Sequence, residues 1–137
     1  AVAGEACVYV FCSSPAELTG LVNDFGVDEM YSSALRPLVR ENDLVMGFSG
    51  SGNSKNIINA FEVASEKKAN TLSISKGTGG LANEIVDVSI IIPGTSNFPG
   101  QTGKNDNNFH FEDEVLSINS MIVGLLKLKV SSENRQS

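Results

Sequence analysis

The 137-residue chain has no tryptophan, a single histidine, two cysteines and few cations: 10 Lys and Arg stand against 16 Asp and Glu. With His110 as its only imidazole, the chain cannot build a centre that needs several histidine ligands, and no metal or organic cofactor is expected. The formal net charge of −6 argues against nucleic acid and anionic membrane surfaces as partners, since both are bound by basic faces. No uninterrupted apolar run approaches the roughly 18 residues of a bilayer-spanning helix, so no membrane segment is expected. The first residues, AVAGEACVYVF, contain Glu5 and no basic group, and are not read as a signal peptide. The cysteines, Cys7 and Cys12, are five residues apart. On a strand that odd offset puts them on opposite faces, so they neither bridge nor share a metal. They are expected as small buried hydrophobes of a cytoplasmic protein.

What is present is an alternation of strand-like and helix-like segments, which predicts one domain over residues 1–130 and a polar tail over 131–137. CVYVFC (7–12), DLVMGFS (43–49), TLSIS (71–75) and DVSIII (87–92) read as buried strands. Ser14, Pro15 and Glu17 form a capping box that opens a short helix, interrupted at Gly20 and NDFG (23–26). Residues 27–41 give a helical face of Val27, Met30, Ala34, Leu35 and Leu38, breaking near Pro37. Residues 54–68 carry Ile57, Ala60, Phe61 and Ala64 at helical spacing. Residues 94–109 lack periodicity and read as a long functional loop, expected to close over a ligand. A last helix is expected from about Glu112 to Val130, with Val115, Ile118, Ile122 and Leu125 on one face. Apolar strands alternating with helices predict an α/β fold, a three-layer α/β/α sandwich with an open parallel sheet. In such sheets ligands bind beyond the carboxyl ends of the strands, here residues 12–17, 49–54 and 75–80.

The second of those segments is the informative one. A buried strand runs into Ser49-Gly50-Ser51-Gly52-Asn53-Ser54 and then into an amphipathic helix. A helix start offers free N–H groups and a positive dipole end to an anion. The glycines allow close approach and the serines add neutral donors. No Gly-Lys-Ser/Thr follows, so this is not a nucleoside-triphosphate loop. A dinucleotide fingerprint is excluded by the missing third glycine and by TLSIS, which ends without an acidic residue. Neutral hydroxyls suit a phosphate monoester on a small metabolite.

This segment, with Asn56 two residues on, resembles the phosphosugar loop of the SIS (sugar isomerase) domain, most closely its phosphoheptose isomerase branch. NDFGVDEMYSSAL, SKGTGGLANEIVDVSIIIP and EDEVLSINSMIVGLLK resemble the flanking segments, so most of residues 22–130 is covered. The resemblance implies a flavodoxin-like fold and aldose–ketose isomerisation of a sugar phosphate such as sedoheptulose 7-phosphate. It also implies no cofactor and a homo-oligomer, dimer or tetramer. Carried over, Ser49–Ser54 and Asp24 would bind the phosphosugar. Two departures stand out. The family's first strand ends in a glycine-serine loop that this chain lacks. CVYVFC is therefore either the second strand, with the first missing and an edge left open, or the first strand with Ser13-Ser14 as a degenerate loop. In the latter register Glu17 falls at a catalytic carboxylate. The family also places Gln and a catalytic His eight residues apart on the last helix, and here those positions hold Glu112 and Ser120. Glu112, His110 and Glu17 are the candidate proton-transfer groups. The alternative function is a non-catalytic phosphosugar-binding or regulatory module.

Overall fold

The sheet is ordered by its connections, because a parallel neighbour can be reached only by a crossover on one face. In the computed structural model, which describes residues 7–93 and 109–133 (for 109, 110 and 133 the backbone alone), β1 (Leu44–Ser49) leads through α3 (Lys55–Glu66) to β2 (Asn70–Lys76). Helix α4 (Ala82–Ile85) then leads to β3 (Val88–Ile92). The strands pair in parallel in the order β1-β2-β3, with Ser49 opposite Ser75 and Lys76 opposite Ile92. Two short helices, α1 (Pro15–Phe25) and α2 (Met30–Leu35), precede the sheet, and α5 (Phe109–Glu133) follows it.

Alternation along the strands sends one set of side chains to α3 and the other to α5. Ile74 and Ile92 pack with Phe111 of α5, and Met46, Ile90, Val115 and Ile118 lie against that cluster. On the opposite face, Phe61 and Ile58 of α3 pack with Ala82 of α4 and with Val45. A third cluster joins Ala60, Val63 and Ala64 of α3 to Leu35, Val39 and Ala69. Helix α3 is therefore apolar over more than the stripe Ile57, Ala60, Phe61 and Ala64, because it is covered by the sheet on one side and by α2 on the other.

Several sequence expectations are corrected. Residues 7–12 form no strand: 7–10 are exposed, and Cys12 turns the chain at φ +58. A strand needs a ladder, and this segment docks through Phe11 on the Leu35–Val39 cluster instead of pairing with the outer edge of β1. The cysteines are consequently not buried: Cys7 is exposed and Cys12 half-exposed, and both are free thiols. Partial burial, with the Glu17 charge second, pushes the Cys12 thiol up, against a hydrogen bond from Tyr31. Helix α1 continues through Gly20 to Phe25, since an interior glycine costs only about 1 kcal/mol and the chain turns at Gly26, φ +77.

The helical face expected over 27–41 is, by contrast, shorter. Met30 and Leu35 are buried, whereas Val27 and Leu38 are exposed, and the helix ends at Leu35, ahead of Pro37. In α5, Val115 and Ile118 pack as expected but Leu125 is exposed. By length and composition alone, residues 111–132 would suffice to cross a bilayer, although Lys127 and Lys129 interrupt the apolar run. The loop expected over 94–109, and its role as a lid, lies outside the described residues except for Phe109.

An exposed acidic clamp closes the start of β2. The Asp87 carboxylate accepts hydrogen bonds from the Thr71 N–H and the Thr71 hydroxyl, both at 2.8 Å. Those bonds hold its carboxyl below the usual carboxylate range. A depressed folded value means the clamp's stabilisation is present above the unfolded carboxyl value, about 4, and is lost as pH falls through the lower folded value. Thermal melts of wild type and Asp87→Asn should therefore differ at pH 6–7, and the gap should shrink as pH falls below about 4. A gap independent of pH would show that the charge is not what the clamp uses.

Candidate functional site

The 49–54 turn is built by hydrogen bonds that stay within it. Ser49 ends β1 and is buried, and its Oγ accepts from the Gly52 N–H at 3.1 Å and donates to Ser54 Oγ at 2.9 Å. Ser51 Oγ accepts from the Asn53 N–H at 3.1 Å. Ser54 precedes α3 in the N-cap position, yet its side chain caps no backbone group of the helix. Its hydroxyl is bonded to Ser49 instead, so the first-turn N–H groups of α3 receive no side-chain cap from it, and Ile57 N–H is met only by the Ser54 carbonyl at 3.0 Å. The hydroxyl hydrogens of Ser51 and Ser54 remain available to an incoming acceptor.

The turn is held against the 76–82 loop, backbone to backbone. Lys76 N–H donates to Gly50 O at 3.1 Å, and Ala82 N–H to Gly52 O at 2.9 Å. Asn53 acts as a clamp: its Oδ1 accepts from Leu81 N–H at 2.9 Å and its Nδ2 donates to Ser51 O at 3.2 Å. Gly52 sits at φ +69, and a Cβ there would lie 1.8 Å from the Gly79 carbonyl oxygen. Gly80, at φ +55, would put a Cβ 2.5 Å from Ser51 O. Gly80 of KGTGG thus serves the same contact from the other side. The sequence marks Asn53 as a ligand-binding residue by resemblance and does not show this clamp; glycines at both strand ends, Gly52 and Gly80, are its only signal.

The first residue of α3 is ion-paired. Lys55 Nζ is 2.9 Å from Asp28 Oδ2 on the surface, and that bond holds the lysine charged, its value raised above the ordinary one. Asn59 donates to Asp28 O at 3.1 Å and to Glu29 Oε1 at 2.7 Å. The turn after α1 is thereby fastened to the first turns of α3. Asp24, in the last turn of α1, is exposed and bonded to its neighbour Asn23.

The proposed proton-transfer groups are dispersed. Glu17 lies in the first turn of α1, where its N–H donates to Ser14 Oγ at 3.2 Å. Its carboxylate accepts from Ser13 N–H at 3.0 Å, so it completes a capping arrangement one residue upstream of the expected one. Glu112 is exposed in the first turn of α5. His110 belongs to the same turn, because the helix starts at Phe109, ahead of the expected Glu112. Residues two apart on a helix lie on different faces. Phe111 packs on Ile92, at the carboxyl end of β3. That puts the α5 start at the same end of the sheet as the 49–54 turn, but on the opposite face. Ser120 is exposed, with its hydroxyl donating to Leu116 O at 3.1 Å.

Comparison with known proteins agrees with this geometry. The SIS domain profile matches residues 10–101. The phosphoheptose isomerase of Aliarcobacter butzleri is 37% identical over 76 residues, 56% of this chain and 40% of that protein. The phosphoheptose isomerase of Geotalea daltonii is 41% identical over 76 residues, with the same coverage. Among solved structures, the phosphoheptose isomerase from Neisseria gonorrhoeae superposes with a TM-score of 0.58 and 31% identity, covering 62% of this chain and 48% of that one. One from Francisella tularensis, at 23% identity, shares the fold with a TM-score of 0.58, over 64% of this chain and 47% of its own. The chain thus spans about 40% of the length of the curated relatives it matches. A parallel sheet with its serine-glycine turn at an uncapped helix start, together with a profile match over most of its residues, makes this chain a member of the SIS domain family.

Proposed function

We propose that this domain binds a sugar phosphate, with the phosphate seated at the N-terminus of α3 and held by the Ser51 and Ser54 hydroxyls. The observation that supports it most is the uncapped start of α3: the residue placed to cap it, Ser54, is turned toward Ser49. An anion there would receive first-turn N–H groups, the dipole end and two neutral donors, in a chain that carries net negative charge. Ser49 acts as a positioning residue, passing the Gly52 N–H on to Ser54. Ser51→Ala is expected to weaken sugar-phosphate binding by roughly 1–2 kcal/mol, the scale of a hydrogen bond to a charged group. Titration calorimetry with sedoheptulose 7-phosphate, against the unphosphorylated sugar, measures it. Unchanged affinity in Ser51→Ala would remove the turn as the site.

The reaction supported by kinship is phosphosugar aldose–ketose isomerisation. A base removes the proton from the carbon next to the carbonyl, an enediolate forms, and the proton returns to the adjacent carbon while a second group moves the hydroxyl proton. Glu112 or Glu17 would be the base and His110 the acid. Ser120, at the position where the resemblance calls for a histidine, cannot titrate near neutral pH. A displaced acid costs on the order of 100-fold in rate. Slow or absent turnover with binding retained is therefore the expected behaviour of this chain. The second reading, a binding or regulatory module, is favoured by Ser120 bonded to its own helix and Glu17 engaged by Ser13. An isomerase assay on wild type and His110→Ala separates the two. Brisk turnover abolished by His110→Ala would establish the enzyme, and binding without turnover the module.

A further inference from the structure

Three buried hydroxyls of the sheet, those of Ser73, Ser75 and Ser89, have no hydrogen-bond partner among the described residues. Ser73 and Ser75 are wholly buried. All three lie on the face that α3 covers. A Cβ at Gly47 would meet Phe61 and Ile57 of α3, and residues two apart on a strand share a face, so Ser49 looks the same way. Strand pairing carries that face across the sheet, from Gly47 to Ser73 and Ser89, and from Ser49 to Ser75 and Ile91. A buried hydroxyl without a partner is a net cost to the fold. On the β1 side Ser73 has only a glycine opposite it, whereas Ser75 has the hydroxyl of Ser49.

Ser49 can use that neighbour. Its Oγ accepts from Gly52 N–H at 3.1 Å and donates to Ser54 Oγ at 2.9 Å. A hydroxyl oxygen has two acceptor lone pairs, so one is left over. Neighbouring strands lie about 4.8 Å apart, a span that two facing serines bridge by a change of χ1 rotamer. We infer that Ser75 is a positioning residue of the phosphate seat: with an anion bound, its hydroxyl donates to Ser49 Oγ from the buried side. The inference rests on the sugar-phosphate reading of the 49–54 turn. What Ser75 supplies is the direction of the protons. When Ser75 and Gly52 both donate to Ser49, its own hydrogen must point outward to Ser54, and the Ser54 hydrogen is then free for the phosphate. Hydroxyls donating head to tail polarise one another, so the last donor is strengthened. Without Ser75 the Ser49–Ser54 pair can run either way, and when Ser54 donates inward only its lone pairs meet the anion.

Stability and affinity should move in opposite directions, which a merely structural serine would not produce. Ser75→Ala removes a hydroxyl that has no partner in the free protein, so the variant should melt at the wild-type temperature or above it. Its affinity for sedoheptulose 7-phosphate, measured by titration calorimetry, should fall roughly 3- to 10-fold, the scale of one neutral hydrogen bond. Ser73→Ala and Ser89→Ala take the same group from the same face and should leave affinity unchanged. In a Ser49→Ala background, Ser75→Ala should have no further effect on affinity, because the path runs through Ser49. Wild-type affinity in Ser75→Ala, with weaker binding in Ser51→Ala, would overturn the role of Ser75 and leave the phosphate seat standing. Unchanged affinity in both would remove the seat and the role of Ser75 with it. A full effect of Ser75→Ala in the Ser49→Ala background would also overturn the inference. So would a comparable drop in melting temperature for Ser73→Ala, Ser75→Ala and Ser89→Ala, since the three hydroxyls would then serve the fold as partners of buried water.

Discussion

Gly52→Ala is expected to cost about 2–5 kcal/mol of stability and to abolish phosphate binding, although it adds a single methyl group to a turn. Two penalties add. A left-handed backbone costs a residue with a Cβ roughly 1–2 kcal/mol, and overpacking a closed contact costs about 1–3 kcal/mol more. The contact is the decisive part. The new Cβ would stand 1.8 Å from the Gly79 carbonyl oxygen and 3.0 Å from the Gly80 nitrogen, both backbone atoms with no rotamer to yield. The 49–54 turn must then lift from the 76–82 loop. Lifting it breaks Ala82 N–H to Gly52 O, pulls Asn53 from Leu81 and shifts Ser49 away from Ser54. Gly26→Ala supplies the control. Gly26 has φ +77 with nothing within 4 Å of the added Cβ, so it bears the backbone penalty without the clash. Urea unfolding should find Gly52→Ala clearly less stable than Gly26→Ala, and calorimetry with a sugar phosphate should find binding lost only in the former. Equal losses would mean that the loop-on-loop contact is softer than its geometry.

The parts of this design that were legible in the sequence are those set by local chemistry. Gly-Ser-Gly-Asn-Ser after an apolar strand specifies a turn at a helix start whatever surrounds it, and β1, β2 and β3 lie within a residue or two of where their β-branched runs put them. Parallel pairing followed from the intervening helices. What was not legible depends on a partner elsewhere in the chain. CVYVFC has the composition of a strand, but composition does not supply a neighbour, and Phe11 finds the α2–α3 cluster instead. Asn53 is placed in the ligand-binding turn by resemblance, and its bond from Leu81 N–H, at 2.9 Å to Oδ1, depends on a residue 28 positions away. Glu17 matches a catalytic position in one register, yet a carboxylate three residues after a serine N-cap is also what ends a helix well, and that local role is the one its hydrogen bonds fill.

Phe61→Ala should be the most damaging substitution in the core, at about 3–5 kcal/mol, and its neighbour in space makes the loss dissectable. Phe61 is 1% exposed and packs with Ile58 and Ala82 beneath α4. Its ring closes over Gly47 on β1, where an added Cβ would meet Phe61 Cζ at 2.6 Å and Ile57 Cγ2 at 3.1 Å. Gly47 lies in register with Ser73 and Ser73 with Ser89, so a row of small residues crosses the sheet under α3 and leaves room for the ring. Gly47→Ala alone forces the ring off that row and should cost about 1–3 kcal/mol. With Phe61 already replaced by Ala, the same methyl group enters the vacated space and should cost nearly nothing or recover a little stability. The double-mutant cycle should therefore give a coupling of roughly 1–3 kcal/mol, the size found for residues in direct contact. The proposed seat of the phosphate is within two helical turns of this contact, because Ser49 lies two residues beyond Gly47 and α3 starts six residues before Phe61. Sugar-phosphate affinity in Gly47→Ala should consequently fall, while in the double variant it should return toward wild type if α3 settles back onto the sheet. Additive losses in the cycle would show that the ring and the glycine do not share the space assigned to them, and that the small residues of the sheet answer to something other than Phe61.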